Sequence, residues 1–155
     1  MKLLNPNKFG QLTENAVTDF ERFYEISLPK EYRNFLLKNN GGEPVPGCEF
    51  FWIKKGKDGS SVHQFFGLHA GPIHLRLATY MDQNMYGFPR SLLPIADDGL
   101  GNYICLGIQP NNYGKVYFLD HDLFPFQSNE NAPGITQISS SFSSFINALQ
   151  KSSND

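Results

Sequence analysis

At 155 residues the chain is long enough to bury one substantial core, and 40% hydrophobic against 18% charged residues exclude extended disorder. A formal net charge of −2, with no Lys/Arg run longer than the Lys54–Lys55 pair, excludes the basic stripe with which nucleic-acid binders displace counterions from phosphate. No apolar run approaches the ~20 residues of a membrane-spanning helix, and Met1-Lys-Leu-Leu-Asn-Pro6 holds no apolar signal-peptide core, so a cytoplasmic location and no membrane partner are expected.

In chain order, residues 13–24 set Ala16, Val17, Phe20, Phe23 and Tyr24 along one helical face, with Thr13 as cap and Glu14 in the first turn. Leu28-Pro29 opens a second helix carrying Tyr32, Phe35 and Leu36, with Lys38 in its last turn and Gly41-Gly42 as its left-handed stop. Aromatic runs at 48–54 and 62–68, joined through Asp58-Gly59, read as a hairpin. Residues 73–85 fit a helix better than a strand, because they are long and hold no internal breaker. Three strands follow at 92–96, 103–108 and 115–120, the last two joined by a hairpin-length loop at 110–114. Residues 124–135 read as irregular. Phe142, Phe145, Ile146 and Leu149 then define a C-terminal helix capped from Ser139–Ser141. Helices at the ends and strands in the middle make this an α+β fold, a single domain whose ordered core covers about residues 10–150, with a largely antiparallel central sheet. Phe35, Leu36, Phe142, Phe145 and Leu149 are expected in the core.

The residues with most chemistry are Asp97-Asp98 and Asp120-His121-Asp122. If their strands are neighbours, the two sets approach one another. Four carboxylates and an imidazole then either hold a divalent cation, act as acid and base in a small metal-assisted hydrolase, contact a partner, or simply close turns. His63, His69 and His74 stand at intervals unlike those of zinc motifs, and no nucleotide-binding or nucleophile motif occurs, so no cofactor is expected. Cys48 and Cys105 lie far apart in apolar runs and read as buried, reduced thiols rather than ligands or nucleophiles. Phe50-Phe-Trp52-Ile53 is an apolar run that cannot all face one side of a sheet, so it is either core covered on both faces or an exposed patch.

Four blocks together carry a family resemblance. Leu28-Pro-Lys-Glu-Tyr-Arg-Asn-Phe-Leu-Leu-Lys-Asn-Asn-Gly-Gly42 resembles the N-terminal signature of the SUKH superfamily. Leu93-Pro-Ile-Ala-Asp-Asp-Gly-Leu-Gly-Asn102 and Gly114-Lys-Val-Tyr-Phe-Leu-Asp-His-Asp122 resemble its second and third blocks, and Ser141-Phe-Ser-Ser-Phe-Ile-Asn-Ala-Leu149 its closing helix. The glycine turn is shorter than the family often shows, and Leu119 stands where tryptophan is common. The resemblance implies a non-enzymatic binding protein without cofactor. Its partner would be a bacterial toxin domain encoded nearby, often a nuclease, or else a regulatory partner of the fungal cell-wall-assembly kind. A basic toxin would be met by Asp97, Asp98, Asp120, His121 and Asp122, with Glu43 and Glu49 adding charge and Trp52 serving as an apolar anchor.

Overall fold

The computed structural model describes residues 1–45, 49–51, 59–82, 87–123 and 132–152. Thr13 caps α1 (Glu14–Tyr24) by accepting the Ala16 amide at 3.1 Å. Val17 and Phe20 are buried along its inner stripe. Phe23 lies roughly 90° round the helix from that stripe and is 76% exposed, so it does not share the buried face expected of it. Arg33 ties α1 to α2 (Lys30–Asn39): its guanidinium bonds Glu14, Glu21 at 2.9 Å and Thr18 at 3.0 Å.

The left-handed stop of α2 is Asn40, one residue before the glycines, at φ 41°. Its side chain explains the choice. Asn40 is buried, donates to the carbonyls of Gly10 (2.7 Å) and Leu68 (3.0 Å), and accepts the Leu68 amide (2.8 Å). Asn tolerates left-handed backbone and here also satisfies three backbone groups that would otherwise be stranded.

Nine strands form three sheets among the described residues. β1 (Leu3–Leu4) pairs with β2 (Glu43–Pro44), a two-residue ladder too short to leave a sequence pattern. The expected pairing of 48–54 with 62–68 does not form, because the first run pairs with residues read as the connecting loop. β3 (Glu49–Phe51) pairs with β4 (Gly59–Ser61), so Gly59 lies in a strand rather than in the turn. The run after it leaves that ladder, and β5 (Gln64–Phe65) joins the main sheet. Cys48 and the run through Trp52 and Ile53 lie outside the described residues.

That sheet has the order β5-β6-β7-β8-β9, antiparallel throughout, with β6 (Leu92–Asp97), β7 (Tyr103–Gly107) and β8 (Val116–Leu119) matching the three expected strands. β9 (Ile135–Ser139) starts at the last residue of the stretch read as irregular and is not among the expected strands. Pro133-Gly134 immediately before it, and two exposed polar residues at its centre, hide an edge strand that lacks a continuous apolar run.

Helices cover both faces of the sheet, and the adjacent Phe65 and Phe66 mark the two sides. Phe65 packs edge-on against Phe35 of α2, which in turn meets Phe142 of α4 (Phe142–Ser152). Phe66 stacks on Tyr80 of α3 (Leu77–Asp82) at 4.7 Å. This alternation is why β6, β7 and β8 read as apolar runs and not as alternating strands. Leu36, Phe142, Phe145 and Leu149 are core as expected, while Phe35 is only partly buried. Ser141 caps α4 by accepting the Ser144 amide at 3.1 Å.

The 73–85 segment is not one helix. Residues Ile73–Leu75 form a 3-10 turn, Arg76 is extended at φ −98°, and α3 starts after it. A tertiary demand makes the break: Arg76 bridges Gly67 in parallel, and its guanidinium donates to the carbonyls of Gly71 and Ala70. No helix among the described residues is long and apolar enough to cross a membrane.

Candidate functional site

The register of the sheet brings the two acid sets together. Asp97 ends β6 opposite Tyr103 at the start of β7, and Tyr103 stands opposite Leu119 at the end of β8. The Asp98–Asn102 turn and the Asp120–His121–Asp122 segment therefore occupy one end of the sheet, as their strand positions suggested.

Within that end the acids have different tasks. Asp98 is only 4% exposed, so of the acids expected to meet a partner it offers almost no surface. Its Oδ1 accepts the amides of Leu100 (2.8 Å) and Asn102 (3.0 Å). Its Oδ2 accepts the Ser60 hydroxyl (2.9 Å) and the Asn102 side-chain amide (2.8 Å). Four donors on one carboxylate hold the turn and fasten it to β4. Gly99 and Gly101 lie at φ +75° and +95°, where a side chain would be strained.

Asn102 is the residue that sequence reasoning passed over. Its amide nitrogen faces Asp98, so its oxygen faces the other turn and accepts both the His121 amide (3.0 Å) and His121 Nδ1–H (2.6 Å). The two acid segments are thus clasped through one side chain. Its spacing four residues after Asp98, across two glycines, was the available signal.

Of the remaining acids Asp122 is exposed, while Asp97 and Asp120 are half-buried. Asp97 is partly buried and accepts the Gly99 amide at 2.9 Å, with His63 Nδ1 at 3.3 Å. Burial pushes its carboxyl above the ordinary carboxylate range, against the pull of the Gly99 N–H and the nearby His63 ring. Asp120 accepts the Asp122 amide at 3.0 Å, and the Asp122 side chain is 80% exposed with His121 Nε2 at 3.2 Å. One ligand atom each from Asp120, His121 and Asp122 lies within 4.8 Å of the others, the donor types of a loosely held divalent cation. His121 Nδ1 is already committed to Asn102, which leaves Nε2 and the two carboxylates for such an ion.

The other selected residues stand apart from this cluster. Glu43 lines a cavity of about 30 Å³ with Lys8, Gln64 and His69 at the flank of the sheet. Glu49 opens β3 opposite Ser61, and Trp52 lies outside the described residues. Cys105 is fully buried, and burial pushes its thiol well above the ordinary range, so it is no nucleophile. A separate cleft of about 400 Å³ opens among Tyr24, Ile26, Tyr80, Phe88, Arg90 and Ile108, beside Leu92 at the other end of β6.

The two linked turns and the Asn40-Gly41-Gly42 stop lie in three of the blocks quoted above, and the sequence model of the SMI1 / KNR4 family (SUKH-1) matches residues 11–148. The chain belongs to this family. It is also similar to the SPbeta prophage-derived uncharacterized protein YokK of Bacillus subtilis (strain 168), at 30% identity over 128 residues covering 72% of this chain and 63% of that protein. The SUKH chain described here therefore spans a little under two-thirds of that relative's length.

Proposed function

We propose that this SUKH-1 domain is a non-enzymatic, cytoplasmic protein-binding module of the immunity type, which binds and neutralises a toxin domain encoded nearby. The observation that carries the reading is the arrangement at the acidic end of the sheet. Buried Asp98 and its partner Asn102 are committed to holding two turns, and the acids left over, Asp97, Asp120 and Asp122, keep partial or full access to solvent. A rigid frame that displays charge suits recognition of a basic surface, and nuclease toxins are basic because they must approach phosphate. Similarity to a prophage-derived protein supports a gene that travels with mobile elements.

The test is co-expression with the toxin domain encoded beside this gene, followed by stopped-flow association at several salt concentrations. The expected result is protection of the host cell and fast association that slows steeply with salt. An Asp120→Lys/Asp122→Lys variant should associate more slowly and with a shallower salt dependence. Absence of binding and protection, or an unchanged salt slope in that variant, overturns the proposal.

A further inference from the structure

Charge accounts for only part of what the acidic end displays. Leu100 is 73% exposed in the Asp98–Asn102 turn, and Leu123 is 51% exposed at the end of the 3-10 turn His121–Leu123. The contacts of the frame set the turns that carry them side by side. The His121 ring lies against Gly101, the residue after Leu100, and Leu123 closes the same helical turn as His121, its amide donating to the Asp120 carbonyl at 3.2 Å. Single exposed leucines are ordinary on a protein surface. Two on adjoining turns, with one amide tied to a buried carboxylate, are held where water must cover them. The same two segments carry Asp97, Asp120 and Asp122, and among the described residues no lysine or arginine pairs with any of the three.

We infer that Leu100 and Leu123 form a two-point apolar anchor inside an acidic rim, and that the surface they meet is a cationic amphipathic one: an apolar stripe on a protein partner, flanked by lysines or arginines. The inference rests on the binding role proposed for this end of the sheet and names the partner chemistry. Charge complementarity selects the flanking cations, and the paired leucines select the apolar stripe between them. The two contributions separate kinetically. Rim carboxylates govern association and its salt dependence, whereas desolvated anchors govern dissociation.

The experiment uses the full chain and two synthetic helical peptides of equal positive charge, one of lysine and leucine, the other of lysine and glutamine. Affinities come from calorimetry, and contact sites from methyl spectra of the leucines. The lysine–leucine peptide should shift the Leu100 and Leu123 methyls and bind about tenfold or more tightly than the lysine–glutamine peptide. A Leu100→Ser/Leu123→Ser variant, with its melting temperature unchanged, should erase that difference while keeping the salt slope. Asp120→Asn/Asp122→Asn should flatten the slope for both peptides. If the serine variant binds both peptides as the wild type does while the asparagine variant weakens them, the anchor is refuted and the acidic rim stands. If the peptides bind equally, or shift methyls elsewhere, the anchor is refuted as well. If neither carboxylate nor leucine changes matter, the binding role of this end falls with it.

Discussion

Replacing Asp98 by alanine separates the frame of the acidic end from its display. The substitution strands four donors: the Leu100 and Asn102 amides, the Asn102 side chain and the Ser60 hydroxyl. A hydrogen bond to a charged acceptor contributes about 1.5–3 kcal/mol net, and a buried donor left without a partner costs about 1–3 kcal/mol. The Leu100 amide belongs to an exposed residue and rehydrates, and contributions within one network do not add. A loss of about 3 kcal/mol is therefore expected. At roughly 2–4 °C per kcal/mol for a domain of this size, the melting temperature falls by roughly 6–12 °C. Asp98→Asn should lose about half as much, because its oxygen still accepts both amides but its nitrogen then faces the Asn102 side-chain amide. That amide cannot turn round while its oxygen holds His121. Exposed Asp122→Ala serves as the control, with an expected change within about 0.5 kcal/mol. Calorimetry or urea unfolding of the three variants gives the answer. If Asp98→Ala melts no lower than Asp122→Ala, the turn is not held by this carboxylate and the account of the frame is wrong.

Three further outcomes are expected. Phe145 is buried in α4, and Phe145→Ala should destabilise the protein by about 3–5 kcal/mol in urea unfolding; an unchanged midpoint would show that this helix does not pack on the core. The folded-state pKa of Asp97 is raised, so its charged form costs stability above that pKa, and the cost is released as pH falls through it. Asp97→Asn should accordingly melt no lower than wild type at pH 7 and lose any advantage in acid, as melts at the two pH values would reveal. Purified protein with magnesium or manganese should hydrolyse neither RNA nor DNA; metal-dependent turnover abolished by Asp97→Ala or Asp120→Ala would establish the hydrolase alternative instead.

What the sequence disclosed tracks where local periodicity and tertiary demand agree. α1, α2 and α4 carry amphipathic stripes, and side-chain caps at Thr13 and Ser141 made the starts of α1 and α4 legible, whereas the stop of α2 fell one residue early at Asn40. β6, β7 and β8 are apolar runs because helices cover both faces of the sheet. The α3 region misled because Arg76 is pulled into a bridge with Gly67, a demand that no helical pattern records. β9 is an edge strand with polar residues outward, and the β1–β2 ladder is two residues long, so neither had periodicity to show. At the acidic end, the types of residue were readable but their tasks were not. Asp97 and Asp98 are identical neighbours in sequence. Only the Ser60 hydroxyl, from a distant strand, and the return of Asn102 make the second one structural.

The clasp through Asn102 also bears on how such a protein changes over time. The side chains that lock the two turns, Asp98 and Asn102, point inward or toward each other, whereas Leu100, Asp122 and Leu123 protrude and brace little. Substitutions at the protruding positions are therefore close to neutral for folding, while those at the locking positions are not. Outward residues can thus be exchanged one at a time without disturbing the scaffold, so this end of the sheet separates what it presents from what holds it up.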